Sequence, residues 1–149
     1  MKLSFLLILF LTLNLGQLYS QVLFNIDIQD TKVKSDWEQT DNLYIRSESV
    51  YPFSEIILIP DLGYIFYASS PTQEIFKRVE FEINSTLGEP IINKDYIAED
   101  VKGLNLQWDA FLKSIEDGKT YFYREWKSDE IRVILFWNQY RFLVECFKE

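Results

Sequence analysis

Histidine is absent from all 149 residues. With it go Ser-His-Asp and Cys-His nucleophilic systems, imidazole zinc sites and the usual general base near neutral pH. Cysteine occurs once, at Cys146. One thiol closes no intramolecular disulfide and builds no thiolate metal cluster, so the fold must stand on its apolar core. Cys146 sits in a strand-like context and is expected to be buried and inert. There is no phosphate-cradling glycine loop, no G-x-S-x-G, no S-x-x-K and no calcium-loop spacing of carboxylates. These absences close most familiar enzyme classes, and the expectation is a non-enzyme without a cofactor.

What is present begins with the first twenty residues, MKLSFLLILFLTLNLGQLYS. Lys2 supplies a positive tip, Leu3 to Leu13 an apolar run broken by Ser4 and Thr12, and Tyr19-Ser20 before Gln21 a cleavage end, the pattern of a secretory signal peptide. The run is shorter than the roughly 20 residues that span a bilayer. Leu18, three residues before the cut, departs from the small residue favoured there, so an uncleaved N-terminal anchor is the alternative. The reading is a signal peptide over residues 1–20, a single domain over 21–149, and a periplasmic or secreted location without stable membrane insertion after cleavage. Aromatic residues make up 17% of the chain, which is ample apolar area for a core without staples.

Fifteen basic residues stand against 23 acidic ones, a net charge of −8. Such a chain repels phosphate backbones and anionic headgroups, so nucleic acid is not an expected partner, and a protein with a basic surface is favoured. Dispersed negative charge also serves solubility alone.

Along the chain, Val22 to Ile28 alternates Val22, Phe24, Ile26 and Ile28 against Leu23, Asn25 and Asp27, the period of a strand with one buried face. Gln29 to Asn42 reads as a loop or an edge element held by Trp37. Leu43 to Arg46 is a short strand. Tyr51-Pro52 breaks the chain, and Glu55 to Ile59 and Tyr64 to Ala68 flank Pro60-Asp61-Leu62-Gly63 as a hairpin. A helix then starts with Ser70 as N-cap, Pro71 at its first position and Gln73 completing a capping box. Ile75, Phe76, Val79, Ile83 and Leu87 form its apolar stripe, and Gly88 caps it in a left-handed conformation before Pro90. Asn84-Ser85-Thr86 matches a glycosylation acceptor inside this helix and is read as accidental. Ile91 to Lys102 has no clear period. Trp108, Phe111, Leu112 and Ile115 suggest a shorter helix capped by Gly118.

The last third reads as a three-stranded meander. A two-residue turn at Asn138-Gln139 pairs Trp137 with Tyr140, Leu135 with Phe142, Val133 with Val144 and Ile131 with Cys146. A turn at Ser128-Asp129 pairs Lys127 with Glu130, Trp126 with Ile131 and Glu125 with Arg132. Together they predict one charge row, Glu125, Arg132 and Glu145. Phe122, Trp126, Ile131, Val133, Leu135, Trp137, Phe142, Val144 and Cys146 become core. Arg124 falls on that apolar face, which implies an edge strand open to solvent or a longer first turn. The fold class expected is α+β, two helices packed on a mainly antiparallel sheet that ends in the meander.

The second face of the meander is the candidate binding surface. Tyr121, Tyr123, Ile134, Phe136 and Leu143 would form an apolar and aromatic row beside Glu125, Arg132 and Glu145, an interface centre with a polar rim. The alternative is that the N-terminal strands or the loop around Trp37 cover it. The surviving catalytic option is a carboxylate pair drawn from Asp27, Asp30, Glu99, Asp100, Glu116 and Asp117, which would suit glycoside hydrolysis.

Leu87-Gly88-Glu89-Pro90, Tyr123 to Trp126 and Ile131 to Trp137 follow the order helix, L-G-x-P, irregular segment, aromatic strands. This order resembles small exported bacterial envelope domains of the SmpA/OmlA type, found in outer-membrane assembly, and of the beta-lactamase-inhibitor helix-plus-sheet type. The chain departs from the first in lacking a lipidated cysteine and from both in the four strands before the helix. The resemblance implies an exported α+β domain and carries no catalytic residue across. The functions expected are thus a non-catalytic protein-binding domain (an inhibitor, an immunity-type partner or an envelope assembly factor), then a carbohydrate-binding or carboxylate-dependent hydrolase, then a purely structural envelope protein.

Overall fold

Short strands dominate the molecule, in keeping with its many β-branched and aromatic residues. The structure is a computed structural model that describes residues 21–47, 52–102 and 108–149, with side chains omitted at 108 and 109. The predicted signal peptide, the break at Tyr51 and the Trp108 side chain lie outside what is described. Among the described residues there are ten strands and two helices: β1 Val22–Leu23, β2 Ile26–Asp27, β3 Glu38–Thr40, β4 Leu43–Arg46, β5 Glu55–Ile59, β6 Gly63–Ala68, α1 Gln73–Leu87, β7 Ile92–Ile97, α2 Trp108–Glu116, β8 Thr120–Lys127, β9 Ile131–Trp137 and β10 Phe142–Lys148. β1 and β2 form a small hairpin. The other eight make one antiparallel sheet in the order β3-β4-β5-β6-β10-β9-β8-β7.

This corrects the expected α+β division. The molecule is mostly β, α2 is only nine residues long, and the helices are an incomplete layer on a broad sheet. The segment without a clear period, Ile91 to Lys102, contains β7, an edge strand that pairs with β8 through Ile92↔Glu125 to Ile97↔Thr120. Five of its six residues are exposed, so neither face imposes an apolar alternation for sequence reading to find.

The sheet consists of two meanders, β3–β6 and β7–β10, joined where β6 pairs with β10. That ladder runs from Phe142↔Ala68 to Phe147↔Gly63. Gly63 is needed there because a Cβ would stand 1.9 Å from the Cys146 carbonyl oxygen. α1 leads from one meander to the other and crosses one face of the second. Phe76 meets Phe122 and Trp137 at 5.0 and 5.8 Å, and Asn84 Oδ1 accepts from Trp126 Nε1 at 2.9 Å. The Asn84 side chain is thus engaged in packing the helix to the sheet.

Thr72, rather than Ser70, caps α1. Its backbone is extended and its hydroxyl accepts from the Ile75 N–H at 3.1 Å, so Pro71 lies before the cap and no capping box forms. At the far end Gly88 has φ 83° and ψ −163°. The φ is positive as expected, but the ψ is outside the left-handed helical region and suits glycine alone.

The segment Val22 to Ile28 is a tight hairpin rather than one strand. Phe24 and Asn25 have φ 54° and 62°, the primed-turn geometry that matches strand twist. Burial follows the turn: Leu23, Phe24 and Ile28 are buried while Val22 is exposed. Phe24 tolerates its uncommon φ because its ring is wedged against Phe53 and Phe66 at 4.7 and 5.0 Å, and its N–H donates to Glu82 Oε1 on α1 at 2.7 Å.

The two C-terminal turns lie one residue further along than expected, at Asp129-Glu130 and Gln139-Tyr140. Ser128 N–H donates to the Ile131 carbonyl at 2.8 Å, and Asn138 N–H to that of Arg141 at 3.0 Å. In each turn the first residue stabilises it with its side chain: Ser128 Oγ accepts from Ile131 N–H, and Asn138 Oδ1 accepts from the N–H groups of Tyr140 and Arg141. Ser and Asn are favoured at that first position, which fixes the turn. The partners move by two residues, so every side chain keeps its expected face while its neighbours change. Leu135 pairs with Val144 and Val133 with Cys146. The predicted core holds, with Phe122 half-buried and the other eight residues buried.

Arg124 is buried on that core face. It is neither on an edge nor beside a longer turn, because β7 covers β8. Its guanidinium donates to Glu80 Oε1 of α1 at 2.7 Å and to Asp95 of β7, and it lies 5.5 Å from the Phe76 ring centroid. A buried guanidinium paired twice and set against a ring meets the conditions under which a charge is tolerated inside.

Gly63→Ala is expected to cost about 3 kcal/mol or more, because the β6–β10 ladder must part. Gly88→Ala meets open space and is expected to cost about 1 kcal/mol through its backbone conformation alone. Urea midpoints of the two variants measure the order, and equal losses would contradict the close approach at Gly63.

Candidate functional site

Each strand of the large sheet alternates, so the sheet has two faces. One carries Ile56, Leu58, Tyr64, Phe66, Val144, Cys146, Val133, Leu135 and Trp126, and is covered by α1, α2 and the β1–β2 hairpin. The other carries Ile57, Ile65, Tyr67, Leu143, Phe147, Ile134, Phe136, Tyr123, Tyr121 and Tyr96. Among the described residues nothing packs over this second face. The N-terminal strands extend the sheet sideways and Trp37 meets Tyr64 edge-to-face on the covered face, centroids 6.3 Å apart, so neither provides the cover that is the alternative from sequence.

The structure brings the expected residues together, with two changes. Tyr121, Tyr123, Ile134 and Phe136 are neighbours: Tyr121 and Tyr123 lie 6.2 and 6.3 Å from Phe136. Leu143 shares the face but is only 5% exposed, because Tyr67 and Phe136 flank it across the ladders. The single charge row does not form. Glu125 and Glu145 both stand opposite Ile134, from either side, and Arg132 stands opposite Lys127 and Phe147. The two-residue displacement of the turns is the cause.

Within this corrected register Arg132 still reaches one carboxylate diagonally. Its Nε donates to Glu125 Oε1 at 2.8 Å, and the Tyr123 hydroxyl donates to Glu125 Oε2 at 2.6 Å. The guanidinium of Arg132 first, and the Tyr123 hydroxyl second, hold the Glu125 carboxyl below its ordinary pKa. Burial, and then the bond to Glu125, push the Tyr123 hydroxyl up. Glu125, itself only 6% exposed, is therefore committed. Glu145 is half-buried, and among the described residues its side chain has no hydrogen bond or ion pair.

Several members of the face were not singled out from sequence. Tyr96 lies in the segment without a period, and it stacks on Tyr121 with centroids 5.0 Å apart and planes 13° apart. The two rings are 47% and 38% exposed. Ile65, Tyr67 and Phe147 join only through the β6–β10 pairing. The alternation of Tyr64, Phe66 and Ala68 against Ile65 and Tyr67 was the available signal for the first two.

The carboxylates considered for hydrolysis are largely engaged by lysines. Asp30 pairs with Lys34, Glu99 with Lys102, Asp100 with Lys119 and Asp117 with Lys113. Lys34 and Lys119 hold Asp30 and Asp100 below the usual carboxylate range. A cleft of about 330 Å³ opens between Ser69–Pro71, α2 and the β9–β10 turn, and Glu116 is its one acidic wall residue. A carboxylate pair across that cleft would require a second. Cys146 is 1% exposed, and burial drives its thiol pKa well above the ordinary value, which leaves little thiolate for chemistry. No helix of the described residues is long and apolar enough to cross a membrane.

Because the Glu125 pKa is lower folded than unfolded, its stabilisation is present above its ordinary value of 4.5 and is lost as pH falls through the folded value. The stability gap between the wild type and Glu125→Gln is expected to be largest near neutral pH and to close in acid, as followed by urea unfolding across pH. A gap that is the same at every pH would contradict the Arg132–Glu125–Tyr123 arrangement.

No family model, curated protein or solved structure matches this chain.

Proposed function

We propose that this chain is an exported, non-catalytic protein-binding domain of the inhibitor, immunity-type or envelope-assembly kind, and that it docks its partner on the second face of the large sheet. The observation that carries this reading is the uncovered face itself. It presents an apolar and aromatic centre, from Ile65 and Tyr67 through Ile134 and Phe136 to the stacked Tyr96 and Tyr121, and no described element packs on it. Contiguous apolar surface of this kind is disfavoured on a domain that meets only water. Charged residues, Glu38 and Glu55 toward one edge and Lys94 and Lys127 toward the other, give it the polar rim of an interface. Tyrosine supplies large contact area at low entropy cost, which suits it to the centre of such a surface.

The export address supports an extracytoplasmic setting for that partner. A domain with one buried thiol and no disulfide is compatible with an oxidising compartment, since nothing in its core depends on the redox state.

Phe136→Asp is expected to weaken partner binding at least about thirtyfold, the loss of about 2 kcal/mol that marks an interface hot spot, while circular dichroism shows the fold retained. Tagged wild type and variant recovered from the exported fraction provide the comparison. Phe66→Asp, on the covered face, is the control that should unfold. If the wild type and a folded Phe136→Asp retain the same proteins, or if Phe136→Asp unfolds as Phe66→Asp does, the face is not the docking surface.

A further inference from the structure

Glu145 occupies a singular position on the open face. Ile65 and Ile134 lie directly across from it on β6 and β10's other neighbour, β9. Leu143 and Phe147 lie two residues away along its own strand. All four nearest positions on the face are therefore apolar, and the carboxylate at their centre is half-buried, with no cation paired to it among the described residues. Among the described residues Arg132 is the one basic side chain within diagonal reach, and its Nε is bound to Glu125 at 2.8 Å. Lys148 points to the opposite face, where its amine donates to Thr31 Oγ1 at 2.8 Å. Lys127 is two strands away and paired with Glu149, and Lys94 is three strands away, about 14 Å across the sheet at ordinary strand spacing.

This arrangement is acceptable only while water reaches Glu145. A partner covering the face with apolar groups alone would strip that water and leave an unpaired buried carboxylate, a heavy cost. A partner bringing a cation to the same point would convert the cost into a charge-assisted hydrogen bond in an apolar surround. Both Glu145 oxygens are free to accept, which matches the two parallel donors of a guanidinium, and the flanking Phe147 and Phe136 rings suit its planar faces.

We propose that Glu145 is the selectivity anchor of the docking face, and that its partner is a protein presenting an arginine ringed by apolar side chains. The inference rests on the reading of this face as a docking surface and names what that surface recognises. A second copy of the chain fits poorly. It would bring a second unpaired Glu145 and an Arg132 already bound to Glu125, on a molecule of net charge −8. The charge balance favours a basic partner and speeds its encounter.

The test uses the full chain and two short synthetic peptides. One has isoleucine and phenylalanine two positions either side of a central arginine, with serines between, so that all three face one way when extended. The other replaces arginine with citrulline, which has nearly the same shape and no charge. Methyl NMR of Ile65 and Ile134 reads binding. The arginine peptide is expected to shift both methyls and to bind about tenfold more tightly than the citrulline peptide, the ordinary size of a hydrogen bond to a charged group. Glu145→Gln should abolish that preference while leaving the weaker apolar binding, and Phe136→Asp should weaken both peptides.

Equal binding of the two peptides would overturn the Glu145 anchor and leave the docking face standing. If neither peptide shifts the two methyls, as when residues 1–20 of the same chain occupy the face, both readings are overturned. Methyl shifts that depend on protein concentration without peptide would identify a second copy as the occupant and overturn the arginine partner.

Discussion

The ladder between β6 and β10 is the constraint on which the rest of the molecule depends. It joins two sequential meanders into one sheet of eight strands, and in doing so sets Tyr64 and Phe66 beside Cys146 and Val144 on one face and Ile65 and Tyr67 beside Glu145 and Leu143 on the other. A sheet this broad needs cover on both faces if both are apolar. The described chain supplies two helices and a small hairpin, and all three lie on one side. The open second face is thus a consequence of topology: α1 can cross only one face as it links β6 to β7.

Much of this was legible where the pattern is local. The α1 stripe, the short α2, the β5–β6 hairpin and the face assignment in the meander follow from spacing along a continuous stretch. The register did not, because it turns on whether Ser128 and Asn138 sit inside the turn or at its first position, and a one-residue difference there alters every cross-strand pair while preserving both faces. The fold class departs from the expected α+β for a related reason. β7 is exposed along most of its length and has no apolar period to detect, and the two meanders could each have stood alone until β6 and β10 were seen to pair. Of the site, the four central residues Tyr121, Tyr123, Ile134 and Phe136 were legible. Tyr96, Ile65, Tyr67 and Phe147 depend on long-range pairing that spacing does not encode.

Two arginines in this fold show how position decides what a charge does. Arg124, on the covered face, is held by Glu80 from the helix and Asp95 from the edge strand, so it ties three elements together where the sequence pointed to an edge strand open to solvent or a longer turn. Arg132, on the open face, is bound to Glu125, which Tyr123 also holds, and leaves Glu145 without a counterion among the described residues. The charge row expected from sequence would have neutralised both carboxylates. The actual register satisfies one and leaves the other at the centre of an apolar surface, which gives that surface a chemical preference as well as an area.

The central claim, that the described elements cover one face of the sheet and leave the other open, is tested most directly by hydroxyl-radical footprinting of the full free chain read by mass spectrometry. Tyr96, Tyr121, Phe136 and Phe147 are expected to be oxidised readily, while Phe66, Phe142 and Trp126 are protected. Protection of Phe136 and Phe147 to the degree seen for Phe66 and Phe142 would contradict the account, because it would mean that the second face is already covered in the free protein.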